Sequence, residues 1–320
     1  MRKLIATVLL FFVMFVHFAA VCNCSKNNSN QTTLFELNWG KGQNEVSLVP
    51  EDADDLLTGI GPIDFAVDEK NNLIYIYDWA NDYRILQCGF KGNVKKVITK
   101  EMYGKDSAIV FNVDKQGNLC VYSCDKKRKN KLLIFNSNCD LIRTIDLKIN
   151  PVNTQEMYLD EKNRFWLGYS CSKTFEFNTN GEIISEFGSD KTNLVRSKGK
   201  YYTRTVSGNK YDNQNTSEVT YLCDISGNTI SKLPASAVLI GIDAHSNCYL
   251  NIYEPSEKKD YIWICNSKGQ TIKKHKLYFE LHDQNAFLQI RIADSGNIYI
   301  APNSNANNRF RIIKIDGLRK

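Results

Sequence analysis

The side chains in this chain best suited to chemistry are its histidines, its cysteines and a recurring set of aspartates. Beyond the apolar N-terminus the histidines are His245, His275 and His282. A zinc centre needs three or four N, S or O donors at converging spacing, and these three positions offer none. No G-x-S-x-G, P-loop or H-E-x-x-H occurs either. The expectation is therefore no catalytic, metal or cofactor-binding residue of a recognisable motif, and no cofactor. Ten cysteines in an exported chain would ordinarily mean disulfides. Here Cys88, Cys223 and Cys265 fall at one repeated place where other copies carry Phe or Ile, so they read as small buried apolar residues. Cys120 and Cys124 lie four apart on one strand, about 13 Å at strand rise. Cys124 and Cys171 are the pair whose bridging is worth checking. No C-x-x-C exists, and mostly free thiols are expected. Asp68, Asp114, Asp160, Asp243 and Asp294 each precede a polar turn, which makes turn capping their expected role.

The elements that carry these residues show first between Gly61 and Ile98. Phe65-Ala-Val is short and apolar, and Asp68 to Asn72 is a cluster of turn formers. Leu73 to Tyr77 is β-branched and aromatic, Tyr83 to Cys88 is a third strand, and Val94 to Ile98 a more polar fourth. A lone sheet of this kind has two apolar faces and needs neighbours on both. Two markers find the other copies: the acids above, and the third-strand ends Cys88, Phe135, Phe177, Cys223, Cys265 and Ile315. The latter are spaced by 47, 42, 46, 42 and 50 residues, the size of a propeller blade of roughly 40–50 residues. One copy lacks the acid and begins at Leu194 to Ser197. The sixth copy ends with its third strand, Arg309 to Ile315, while Leu34 to Leu37 and Glu45 to Val49 stand unassigned near the start. The fold class expected is all-β: a six-bladed β-propeller of four-stranded antiparallel blades, its ring closed by an N-terminal strand that completes the last blade.

The stretch Ala66-Val-Asp-Glu-Lys-Asn-Asn-Leu-Ile-Tyr-Ile-Tyr-Asp78, followed by Asn81-Asp-Tyr-Arg-Ile85, resembles the NHL repeat, and Asp294-Ser-Gly-Asn-Ile-Tyr-Ile300 fits its centre. Asn71 stands where that family prefers Gly, and one residue is inserted between Asn81 and Arg84. The resemblance implies a six-bladed β-propeller and says little about activity, since propellers host binding, scaffold and enzyme functions alike.

Arg2 and Lys3 precede an apolar run from Leu4 to Val21. This is a signal-peptide pattern. It sets the expected organisation as 1–24 signal peptide or N-terminal anchor, 25–32 flexible leader, and 33–320 propeller. Cleavage is placed after Cys22, with Cys24 as the alternative; a retained anchor would be the only membrane contact. The formal charge of +6 is mild, and no basic stripe interleaved with aromatics argues for nucleic acid. The protein is expected to be secreted or at the cell surface.

With four antiparallel strands per copy, first and third turns share one end, and second turns share the other with the inter-copy connections. The second class varies most in length, which makes that end the expected binding end. Its candidate contacts are Trp79 and Asn81 in one turn and Lys126, Lys127, Arg128 and Lys129 in another. Trp79 reads either as a contact residue or as packing against the next blade. The lysine-rich turn reads as a solvated loop or as a site for an anionic partner. Glu51 to Asp55 lacks an EF-hand pattern for calcium. The function expected is a non-enzymatic binding or scaffold module for a protein or glycan. The alternative is a lyase or metal-dependent hydrolase with a site scattered at the channel mouth.

Overall fold

The computed structural model describes residues 31–49, 61–104, 108–124, 129–148, 154–159, 164–169, 174–187, 201–206, 219–224, 226–234, 237–277, 287–303 and 309–318. These are nearly all β. After β1 (Gln31–Trp39) and β2 (Glu45–Val46), a first sheet holds β3 (Asp64–Asp68), β4 (Leu73–Asp78), β5 (Arg84–Gly89) and β6 (Val94–Ile98). A short helix, α1 (Lys100–Tyr103), follows. The second sheet is β7 (Ala108–Val113), β8 (Leu119–Cys124), β9 (Asn130–Phe135) and β10 (Leu141–Leu147). The third is β11 (Thr154–Leu159), β12 (Phe165–Tyr169), β13 (Thr174–Phe177) and β14 (Ile183–Phe187). The fourth shows β15 (Tyr201–Val206), β16 (Val219–Asp224) and β17 (Thr229–Leu233); the strand expected at Leu194 to Ser197 lies outside the described residues. The fifth is β18 (Val238–Ile242), β19 (Cys248–Glu254), β20 (Lys259–Cys265) and β21 (Thr271–Lys276). The sixth contains β22 (Phe287–Ile292), β23 (Ile298–Asn303) and β24 (Arg309–Ile315).

The sixth sheet takes its next strand from the other end of the chain. β1 runs antiparallel to β24, from Gln31 opposite Ile315 to Asn38 opposite Arg309. β2 then lies parallel on the outer side of β1, with Asn38 opposite Glu45 and Trp39 opposite Val46. So β1, not the Glu45 segment, completes the sheet, and it starts at Gln31 inside the stretch expected to be a leader. The signal peptide, Cys22, Cys24, Cys171, Asp160 and His282 lie outside the described residues. Among the described residues no helix is long and apolar enough to cross a membrane.

Strand β4 shows why the sheets stack. All six of its residues are buried. Side chains alternate faces along a strand, so Leu73, Tyr75 and Tyr77 pack with Phe111, Leu119, Val121 and Phe135 of the second sheet. Ile74 and Ile76 pack with Tyr299, Phe310 and Ile312 of the sixth and with Phe35 and Leu37 of β1. Other clusters join the second sheet to the third, the fifth to the sixth and the fourth to the fifth. Each buried aliphatic or aromatic side chain contributes about 1.5–3 kcal/mol. The sheets are thus packed in the series third, second, first, sixth, fifth, fourth. Their first strands touch in the same order: β11, β7, β3, β22, β18.

Candidate binding surface

Most of the described turns at the ends of first and third strands are stitched by Asx side chains, the turn that starts at Gly89 being an exception. Asp114 accepts from the Asn118 amide at 2.8 Å and from Asn118 Nδ2 at 2.9 Å. Asp243 does the same with Asn247, and Asp224 with Asn228. Asn136, Asn178 and Asn266 play this part in three more turns. Asp68 caps through Asn71. Asp294 sits one residue too late to cap its turn in this way. Ala293 takes the capping place there, its amide donating to Asn297 O at 2.9 Å.

This end of the sheets also holds a cavity of about 250 Å³. Asp64, Val67 and Asp68 of β3 line it with Phe111 and Asn112 of β7, Met157 and Leu159 of β11, Ile240 and Gly241 of β18, and Arg291 and Ile292 of β22. Its polar groups latch neighbouring sheets. Arg291 donates from Nε to Phe65 O at 2.9 Å and from Nη2 to Asp64 Oδ1. Asn112 Nδ2 donates to Met157 O at 2.9 Å. Glu69 Oε1 accepts from Tyr299 OH at 2.7 Å and Asn297 Nδ2 at 2.8 Å. The cavity is therefore braced by groups whose bonding is internal. Among the described residues no three His, Cys, Asp or Glu side chains converge as a metal group. His245 is exposed in its turn. His275 lies within β21, its Nε2 buried without a partner, and burial pushes the imidazole down to about 4.

Of the expected contact residues, Trp79, Asn81 and Lys129 lie at the opposite end. Lys126, Lys127 and Arg128 are outside the described residues, and Lys129 is exposed just before β9. Trp79 is half-buried against the cluster shared by the first two sheets, and its Nε1 donates to Gly61 O at 2.8 Å. Asn81 Nδ2 donates to Lys41 O at 3.2 Å. Both brace one turn. Behind it sits Asp78, with a side chain 0% exposed, accepting from the Ser47 amide at 3.0 Å and from Arg84 Nε at 2.9 Å. Burial raises the Asp78 carboxyl, while Ser47 and Arg84 pull it back. Arg84 Nη2 continues to Glu45 O at 2.6 Å. Asp82 pairs with Lys100 of α1.

What this scaffold displays was not singled out from sequence. Tyr83, expected to begin the third strand, stays in the turn at φ +59, directly after Asp82 at φ +58. Two successive non-glycine residues in the left-handed region are strained, at a cost of about 1–3 kcal/mol each. The result is a tyrosine 49% exposed, with Met102 of the neighbouring α1 40% exposed. The insertion that separates Asn81 from Arg84, noted above as a departure from the repeat, is the sequence signal for this display.

No protein-family model matches the chain, and no curated protein matches it. Among solved structures, a protein of unknown function from Bacteroides caccae superposes with a TM-score of 0.43 and 11% identity, over 68% of this chain and 82% of that one. The likeness is too loose to carry an argument about function.

Proposed function

We propose that the six sheets are the blades of a six-bladed β-propeller. On this reading the protein is an exported, non-enzymatic module that binds a protein or glycan through the end opposite the Asx-capped turns. Support for the ring comes from five first strands surrounding one cavity, five sheet-to-sheet cores in series, and β1 completing the last sheet. Support for export is the charged, then apolar, N-terminal sequence. The single observation that carries the binding role is the Trp79 to Tyr83 turn. A buried ion pair, a tryptophan indole and an amide hold it in a strained form whose one exposed aromatic is Tyr83. Large aromatics presented at low entropic cost are favoured contact residues.

The test compares the full chain with Tyr83→Ala and Met102→Ala on a glycan array and in capture of cell-surface proteins. Partners lost from both variants at unchanged melting temperature support the reading. Partners retained by Tyr83→Ala overturn it, and product release from an array glycan points to an enzyme instead.

A further inference from the structure

In the fifth sheet Cys248 at the start of β19 and Cys265 at the end of β20 are direct register partners. The same two places hold Ile74 and Cys88 in the first sheet, Leu119 and Phe135 in the second, and Ile298 and Ile315 in the sixth. In the third they hold Phe165 and Phe177. Those two rings stack at 4.7 Å with 2° between their planes. Side chains at these places therefore lie on one face and meet across the strand pair. Directly opposed residues of antiparallel strands have Cα atoms about 4.5–5.5 Å apart, within the roughly 4.4–6.8 Å that a disulfide spans. Cys248 and Cys265 are buried in one cluster with Leu222, Leu239 and Leu250. Both thiols are free, and Cys265 Sγ stands 3.7 Å from Thr271 Oγ1. Among the described residues no other cysteine has a cysteine as its register partner: Cys88 pairs with Ile74, Cys120 with Ile134, Cys124 with Asn130 and Cys223 with Tyr202, while Cys139 lies in a turn.

We propose that Cys248 and Cys265 are a disulfide site. Two thiols lose two protons and two electrons and form one S–S bond. A small-molecule disulfide such as oxidised glutathione takes up both and leaves as two thiols. The bond closes a covalent loop around the whole β19–β20 hairpin, whose far turn at Pro255 to Lys258 belongs to the end proposed for binding. Exchange requires a thiolate. Burial opposes it, pushing Cys248 up to about 12 and Cys265 upward as well. The bond consequently forms during folding, while the strands are open, and exchanges slowly afterwards.

The experiment refolds the full chain in oxidised and reduced glutathione, blocks free thiols by alkylation and maps linked peptides by mass spectrometry. The expected result is Cys248 joined to Cys265 in the folded fraction, with Cys88, Cys120 and Cys223 alkylated. Reduction by a phosphine then lowers the melting temperature by roughly 5–10 °C. The same treatment leaves the melting temperature of Cys248→Ser unchanged. Should that variant fail to fold, Cys248→Ile serves, since Ile74 and Ile298 fill the same place in other sheets. A folded fraction with both thiols alkylated, or linkage spread over several cysteine pairs, overturns the proposal.

Discussion

Replacing Arg84 by alanine tests how the exposed turn is held. The Asp78 side chain is 0% exposed and that of Arg84 11% exposed, so the pair is out of water. Removing one partner of a buried pair leaves an uncompensated charge, which costs about 3–5 kcal/mol. In a chain of this size that lowers the melting temperature by roughly 10 °C. The loss also carries a pH signature. Burial already raises the Asp78 carboxyl, and Arg84 opposes the rise. Without Arg84 the folded-state value climbs further above the unfolded one. A carboxyl shifted that way stabilises the fold below its unfolded pKa, and that stability is lost as pH rises through the folded value. The variant's deficit, read from urea unfolding followed by tryptophan fluorescence, should be smaller at pH 5 than at pH 8. The double variant Asp78→Asn/Arg84→Met, which removes both charges, should recover most of the loss. A deficit below about 1 kcal/mol, or one equal at both pH values, refutes the reasoning.

Four further outcomes are expected. Tyr83→Gly, which relieves the left-handed backbone, should raise stability by about 1 kcal/mol in the same unfolding assay. Phe165→Ala removes one ring of the stacked Phe165–Phe177 pair and should cost about 3–5 kcal/mol. Gly117→Ala should cost about 1–2 kcal/mol, because φ is +88 and a Cβ would lie 2.2 Å from Asn71 Nδ2. His275 is held neutral, pushed down to about 4 by burial and then by the Lys273 charge. The unfolded chain thus gains the proton first as pH falls from about 6.5 towards 4, and stability falls with it. His275→Gln should flatten this decline by about 1 kcal/mol between pH 7 and pH 5, a figure discounted for partial exposure.

The strands were legible because alternation and turn chemistry are local. Leu73 to Asp78 announces a strand with two apolar faces, and the structure gives one face to the second sheet and one to the sixth. The Asx-capped turns were legible for the same reason, since Asp114 and Asn118 carry the whole motif within five positions. That an N-terminal strand closes on β24 was inferred from a missing strand, not from any property of Gln31 to Trp39. The choice between β1 and β2 for that place was not readable, because both are short and β-prone. The site was less legible still. Trp79, read as either a contact residue or packing, packs on the first two sheets and bonds Gly61, while Asn81, read as a contact residue, bonds Lys41. Tyr83 reads as a strand residue by propensity; the backbone constraint from Trp79 O and Asp78 overrides that preference. Cys248 opposite Cys265 needed the register of one hairpin, which a repeat alignment aimed at other copies does not supply.

The antiparallel partnership of β1 with β24 has a temporal cost. Thr32 and Lys314, bonded to one another, are separated by 282 positions. A ribosome delivers the first of them long before the second, at about 5–20 residues per second. For tens of seconds the edge of β1 that will face β24 has no partner strand, although β2 and the first sheet are already made. Until that edge is covered it is open to pairing with a mismatched strand.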